Sequence, residues 1–132
     1  MRVLLDTNIV IHREASKAGN QDIGMVFKWL DKIGASKCIH PITVMELARF
    51  NDANAVKVMN IKIGSYHQLK TIAAFEGAIK ELSDLVDRNQ NDVDDSKILN
   101  EVYTGRVDIL ISEDRKIHRK AIRLNIPKRF LR

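Results

Sequence analysis

An α/β sandwich built on a parallel sheet is the fold class this sequence predicts, and two observations predict it. Short apolar runs alternate with stretches of helical periodicity, the pattern of a sheet covered by helices on both faces. Asp108-Ile109-Leu110-Ile111-Ser112 is a compact apolar run of the kind buried on both sides in a parallel sheet. In such folds ligands bind beyond the carboxyl ends of the strands, near a topological switch point, so residues just past a strand are the first candidates for chemistry.

The first strand falls over 2–5, an apolar run stopped by Asp6-Thr7-Asn8, three residues suited to a turn or a helix N-cap. Strand therefore passes into helix. After a polar stretch, Ile23, Val26, Phe27, Leu30 and Ile33 recur at helical spacing up to Gly34, and 37–40 gives a second strand before Pro41. Residues 42–50 predict a helix apolar around most of its circumference, 53–63 a helix closing before Gly64, and 66–72 a short edge strand. Ile79, Leu82 and Val86 set a helix over 75–88, which Asn89-Gln90-Asn91-Asp92 breaks. A helix over 94–103 ends at Thr104-Gly105-Arg106, and a strand over 108–112, a helix over 115–124 and a last strand over 129–131 follow. There is no internal repeat or low-complexity segment.

With 132 residues the chain is expected to form a single domain, 1–132, either a whole small protein or the N-terminal part of a longer one. At 45% hydrophobic and 30% charged, with 2 prolines, it can bury a core and is neither disordered nor fibrous. The lone Cys38 cannot form an intrachain disulfide, and no Cys/His spacing suits a structural zinc, so a reducing, cytoplasmic location is expected. Val3-Leu4-Leu5 is too short for a signal h-region before Asp6. No stretch approaches the ~20 apolar residues of a membrane span, and no membrane partner is expected.

The net charge of +5 is unevenly distributed. From Arg115 onward there are eight basic residues and no acid, while the preceding residues hold 14 bases against 17 acids. On the helix over 115–124, Ile117, Ala121 and Leu124 form one stripe and leave Arg115, Lys116, Arg119, Lys120 and Arg123 largely outward. A solvated helix face explains this arrangement as well as a phosphate-binding one does. Its position beside Asp114 favours RNA binding.

Asp6 follows the first strand, and Asp114 lies two residues past Ser112 at the end of the apolar strand, so both belong to one edge of the sheet. Either alone is explained as a helix N-cap. Among the acids at 92–95, helical phase separates the candidates. Relative to Ile98, Asp95 falls at ~60°, within the apolar face, Asp94 at about −40°, and Asp92 at ~120° if the helix begins early enough to include it. A carboxylate aimed inward is costly unless it is paired, protonated or on a metal. Glu46 sits among apolar residues with little solvent-facing surface, its alternative partner being Arg49 one turn on. If Asp6, Glu46, Asp95 and Asp114 converge, their repulsion requires a cation, and an all-oxygen set favours Mg²⁺ or Mn²⁺ over zinc.

These residues resemble the PIN domain, a metal-dependent nuclease fold found in ribonucleases and VapC-type toxins, over essentially the whole chain. The family's apolar strand followed by Asp-Thr-Asn matches Val3-Leu4-Leu5-Asp6-Thr7-Asn8, and its Thr-Val-x-Glu-Leu context matches Thr43-Val44-Met45-Glu46-Leu47. Asp95-Ser96-Lys97-Ile98 stands where the family has Asp-Ala-x-Ile, and Ser112-Glu113-Asp114 matches its Ser-x-Asp after an apolar strand. Any one match is weak, whereas four in order are specific. The resemblance implies a three-layer α/β/α sandwich with a central, mostly parallel sheet of about five strands. It also implies an endoribonuclease in which Asp6, Glu46, Asp95 and Asp114 hold Mg²⁺ or Mn²⁺ and thereby an activated water. Thr7, Asn8 and Ser112 would support the site. Ser96 replaces the more usual small apolar residue and an extra Asp94 precedes it, which leaves Asp92 or Asp94 as an additional ligand, Asp92 being the supporting candidate. A VapC-type toxin would bring an antitoxin protein as partner; a further C-terminal domain and a homodimer stay open.

Other classes fit less well. His12, His40, His67 and His118 lie beside no nucleophile motif, and Cys38 reads as a small core residue. No Gly-rich phosphate loop occurs. A haloacid-dehalogenase-type phosphatase needs a second Asp where this chain has Asn8. The remaining alternative is a non-catalytic PIN-like module that binds RNA or a protein.

Overall fold

A computed structural model describes residues 1–14, 21–49, 53–126 and 130–131. Phe50, at the end of the expected third helix, and Lys128, Arg129 and Arg132 of the basic tail lie outside the described residues. The elements run β1 (Arg2–Leu5), α1 (Thr7–Glu14), α2 (Gln21–Lys32), β2 (Ser36–Ile39), α3 (Pro41–Leu47), α4 (Ala53–Ile63), β3 (His67–Gln68), α5 (Ala78–Val86), α6 (Gln90–Tyr103), β4 (Ile109–Ile111), α7 (Arg115–Arg123) and β5 (Phe130–Leu131). The strands form one sheet in the order β3-β2-β1-β4-β5, and every pairing is parallel.

Alternation along β1 creates two cores. Val3 and Leu5 face one side, where they pack with Ile9 and Val10 of α1, with Phe27 and Leu30 of α2, and with Met59 and Ile63 of α4. Leu4 faces the other, against Ile79 of α5, Ile98, Leu99 and Val102 of α6, and Ile117 and Ala121 of α7. The period of two along a strand thus makes three layers from a four-residue segment. The three-layer, PIN-like sandwich expected from the sequence is the fold observed. Among the described residues no helix is long and apolar enough to cross a membrane.

Two helix starts differ from the sequence expectation. Asn89 is an N-cap whose side chain accepts the Asp92 N–H at 2.9 Å, so α6 begins at Gln90 and the polar run becomes its first turn. Gly77, with φ of 74°, precedes α5, which therefore starts at Ala78 rather than near Phe75. At the other end of α6, Gly105 (φ 79°) takes the left-handed conformation that lets Arg106 N–H bond back to Glu101 O. The edge strand expected over 66–72 is present but spans only His67–Gln68.

A buried polar joint fixes the start of α3. His40 is fully buried, and its Nδ1 accepts the Ile42 N–H at 3.1 Å, which leaves the ring proton on Nε2, 3.2 Å from Glu101 Oε1. Burial alone would raise the Glu101 pKa. Hydrogen bonds from His40 and the Ala73 N–H, with Arg106 beside it, outweigh that and hold the carboxyl below its usual range. Glu101 thereby ties α6 to the β2–α3 turn, and α3 carries Glu46.

Candidate active site

β1 has β2 on one side and β4 on the other, so the chain reverses its direction of winding between β1 and β4. Leu5 lies opposite Ile111 there, and the Asp6 N–H continues the ladder to Ile111 O at 3.0 Å. Both strands stop at this point, and the two acids that follow them are held against each other's supports. Asp6 is buried, with Oδ1 accepting the Thr7 N–H at 2.8 Å and Oδ2 accepting the Ser112 hydroxyl at 2.7 Å. The Ser112 oxygen in turn accepts the Asp114 N–H at 3.0 Å. Asp114 caps α7 through Oδ1, which accepts the Lys116 N–H at 2.8 Å. The capping role and a place at the strand edge therefore coexist in one residue.

Thr7 and Thr43 share a hydrogen bond of 2.9 Å between their hydroxyls, which joins α1 to α3 and brings Glu46 to the same edge. From α6, Asp95 arrives on the inward face that helical phase predicted. Asp6, Glu46, Asp95 and Asp114 all line one cleft of about 240 Å³. Thr7, Asn8 and Asn91 complete its wall. Nothing in the sequence singles out Asn91, because Asn89-Gln90-Asn91-Asp92 reads as a helix break. With α6 starting at Gln90 it lies one turn before Asp95, within ~40° of it.

The electrostatics follow from this crowding. Burial pushes the Asp95 carboxyl up to about 8, and the charges of Asp6, Asp114 and Glu46 add to it, with Lys120 opposing. Glu46 is also raised, first by burial and then by Asp6, against a hydrogen bond from Thr7. Asp6 is raised by burial, offset by Ser112 and the Thr7 N–H. Asp95 has no hydrogen-bond donor among the described residues. As the side chains stand, no group of three or more His, Cys, Asp or Glu among the described residues closes into a metal-holding cluster. The donor set itself fits a hard divalent cation: four carboxylates with oxygen throughout, of which Asp6, Glu46 and Asp95 are raised in pKa, first by burial and then by the neighbouring acids.

Two expected residues are placed elsewhere. Asp92 does not line the cleft. Its Oδ2 accepts the Arg88 N–H at 3.1 Å and its Oδ1 faces Lys116 Nζ at 3.5 Å, and the Arg88 bond foremost holds its pKa low. Starting α6 four residues early turned it into a first-turn residue that reaches back beyond the cap. Lys120, expected outward for RNA, is 6% exposed, and its Nζ contacts Asp87 Oδ1 at 2.5 Å, Ser96 Oγ at 2.9 Å and Asp92 O at 3.0 Å. An unpaired buried carboxylate at Asp87 would be costly, and Lys120 is the group that satisfies it. Arg115, Lys116, Arg119 and Arg123 are exposed as expected.

No protein-family model and no curated protein matches the sequence. Solved structures share its fold. FitAcB from Neisseria gonorrhoeae superposes with a TM-score of 0.63 at 15% identity, over 98% of this chain and 96% of that one. VapBC2 from Rickettsia felis, solved bound to a DNA fragment from its promoter, gives 0.66 at 16% identity, over 100% of this chain and 98% of that one.

Proposed function

We propose that this chain is a metal-dependent endoribonuclease that hydrolyses RNA phosphodiester bonds at the cleft of Asp6, Glu46, Asp95 and Asp114, with Mg²⁺ or Mn²⁺ as cofactor. The observation that carries the proposal is the convergence of four carboxylates from β1, α3, α6 and the start of α7 on one cleft at the switch point of a parallel sheet. A bound divalent ion would supply the positive charge that the transferring phosphoryl group needs and would acidify the attacking water.

The chain's own groups prepare for this. Ser112 and the Thr7 N–H fix both oxygens of Asp6, so its orientation is set before any ligand arrives. Asp114 is held by the first turn of α7, leaving its Oδ2 for the cleft. Asp95, pushed up to about 8, is the carboxyl that would have to give up a proton to hold a cation at neutral pH, and Glu46 is raised in the same direction. Arg115, Lys116, Arg119 and Arg123 give the adjacent helix face the charge to attract a phosphate backbone that the acids alone would repel. The VapC-type sequence resemblance and the fold shared with VapBC2 support a toxin of that type, with an antitoxin protein as its partner.

The test is cleavage of an RNA panel by purified protein in Mn²⁺. Asp6→Asn and Asp114→Asn are expected to abolish cleavage while circular dichroism shows the fold intact. RNA binding without Mn²⁺- or Mg²⁺-dependent cleavage would instead support a non-catalytic binding module.

A further inference from the structure

A second cavity, of about 320 Å³, lies between the α5–α6 junction and α7. Five cations reach it, Arg88 from the junction and Lys116, Arg119, Lys120 and Arg123 from α7, against two carboxylates, Asp87 and Asp92. Both carboxylates are already matched, Asp87 by Lys120 and Asp92 by Lys116. Arg88, Arg119 and Arg123 form no ion pair among the described residues. The cavity therefore has a neutralised floor and three uncommitted guanidiniums around its mouth, an arrangement that favours an anion. Arginine's planar fork suits phosphate oxygens in particular. Val86 adds an apolar wall, and the volume is at the low end for small-ligand sites, enough for one nucleotide.

Its position specifies what kind of phosphate. On α6, Asp92 borders this cavity and Asp95, three residues on, borders the acidic cleft. On α7, Asp114 at the cap borders the cleft and Lys116, two residues on, borders the cavity. The two depressions thus adjoin along the same pair of helices. A strand with one phosphodiester in the cleft would meet the cavity as the next depression along these two helices.

We infer that this cavity is a subsite for one nucleotide of a single-stranded RNA substrate, with its phosphate held by Arg88, Arg119 and Arg123 and its sugar and base against Val86. The inference rests on the nuclease reading for the identity of the strand. It adds a residue, Arg88, that no basic helix face contains.

The test is binding of a short fluorescein-labelled oligouridine in EDTA, read by anisotropy over a range of KCl concentrations. Arg119→Ala/Arg123→Ala is expected to weaken binding on the order of tenfold or more and to flatten the slope of log affinity against log salt by about 1.4. Arg88→Ala is expected to flatten it by about 0.7. Lys28→Ala/Lys32→Ala, which removes the same charge from the exposed side of α2, is expected to change neither. An unchanged slope in Arg88→Ala, or equal weakening by the arginine and lysine pairs, overturns the subsite. Adding Mn²⁺ to the same mixtures separates the two readings: absent cleavage with this binding pattern intact overturns only the nuclease.

Discussion

Ser112 donates its hydroxyl to Asp6 Oδ2 at 2.7 Å, joining the ends of β4 and β1 through a buried bond between residues 106 apart in sequence. The same oxygen accepts the Asp114 N–H. One small side chain with no exposed surface therefore orients two of the four cleft acids.

Removing that hydroxyl should weaken the metal site without unfolding the protein. In Ser112→Ala, Asp6 loses the donor that most offsets its burial, so its pKa rises further and its carboxylate is freer to rotate. Supports of this kind typically contribute about 10–100-fold to metal affinity. Calorimetric titration with Mn²⁺ is expected to show a loss in that range, with circular dichroism unchanged. Equal affinity in the variant would mean that Asp6 is positioned by Thr7 alone or does not bind metal.

Stability without metal should fall as pH rises. The Asp95 carboxyl titrates near 8 in the folded protein, pushed up by burial and then by Asp6 and Asp114, against an ordinary value of 3.8. Between those values the folded state holds the proton more tightly than the unfolded chain, so each step up in pH favours unfolding. Glu46 and Asp6 shift in the same direction and add to the trend. In EDTA, Tm is therefore expected to decline from about pH 4 to about pH 8. Asp95→Asn should flatten the decline and raise Tm at the upper end on the order of 5 °C. Mn²⁺ should stabilise the wild type more at the upper end of this window, because protons and metal compete for the same oxygens. A pH-independent Tm in EDTA would contradict the crowding of charge in the cleft.

How much of this was legible in the sequence depended on whether local geometry carried the information. Asp6 and Asp114 follow apolar strands, and a parallel sheet puts such residues on one edge whatever the rest of the chain does. Asp95 was separable from Asp94 by phase alone, because its inward direction depends only on the 100° step from Ile98. Asn91 carries no signal of its own, because the polar run around it reads as a break. A polar run can break a helix or cap one, and only the Asn89 side chain on the Asp92 N–H decides which. Lys120 was beyond local reasoning altogether. It sits at the edge of the Ile117–Ala121 stripe, where phase leaves a long side chain free to point either way, and its direction is set by Asp87 on another element. The same holds for His40, whose partner Glu101 lies 61 residues away.

That distinction between Lys120 and its neighbours predicts opposite consequences for two substitutions on one helix. Lys120 Nζ closes a network in which Asp87 accepts from Ser83 at 2.6 Å and from Ser96 at 2.5 Å, with the Asp87 side chain 1% exposed. The network fastens the end of α5 and the start of α6 to α7, and two cleft acids, Asp95 and Asp114, ride on the latter two elements. Lys120→Met leaves the Asp87 charge buried with only hydroxyls for company, a change expected to cost about 3–5 kcal/mol. Arg119→Ala, one residue away but exposed and without an ion pair among the described residues, should stay within ~0.5 kcal/mol of wild type. Urea unfolding followed by circular dichroism distinguishes them. Adding Asp87→Asn to Lys120→Met should recover part of the loss, since the stranded charge is then gone. Equal stability of the two single variants would show that Lys120 is solvated like the rest of the basic face, and would return it to the RNA-binding set.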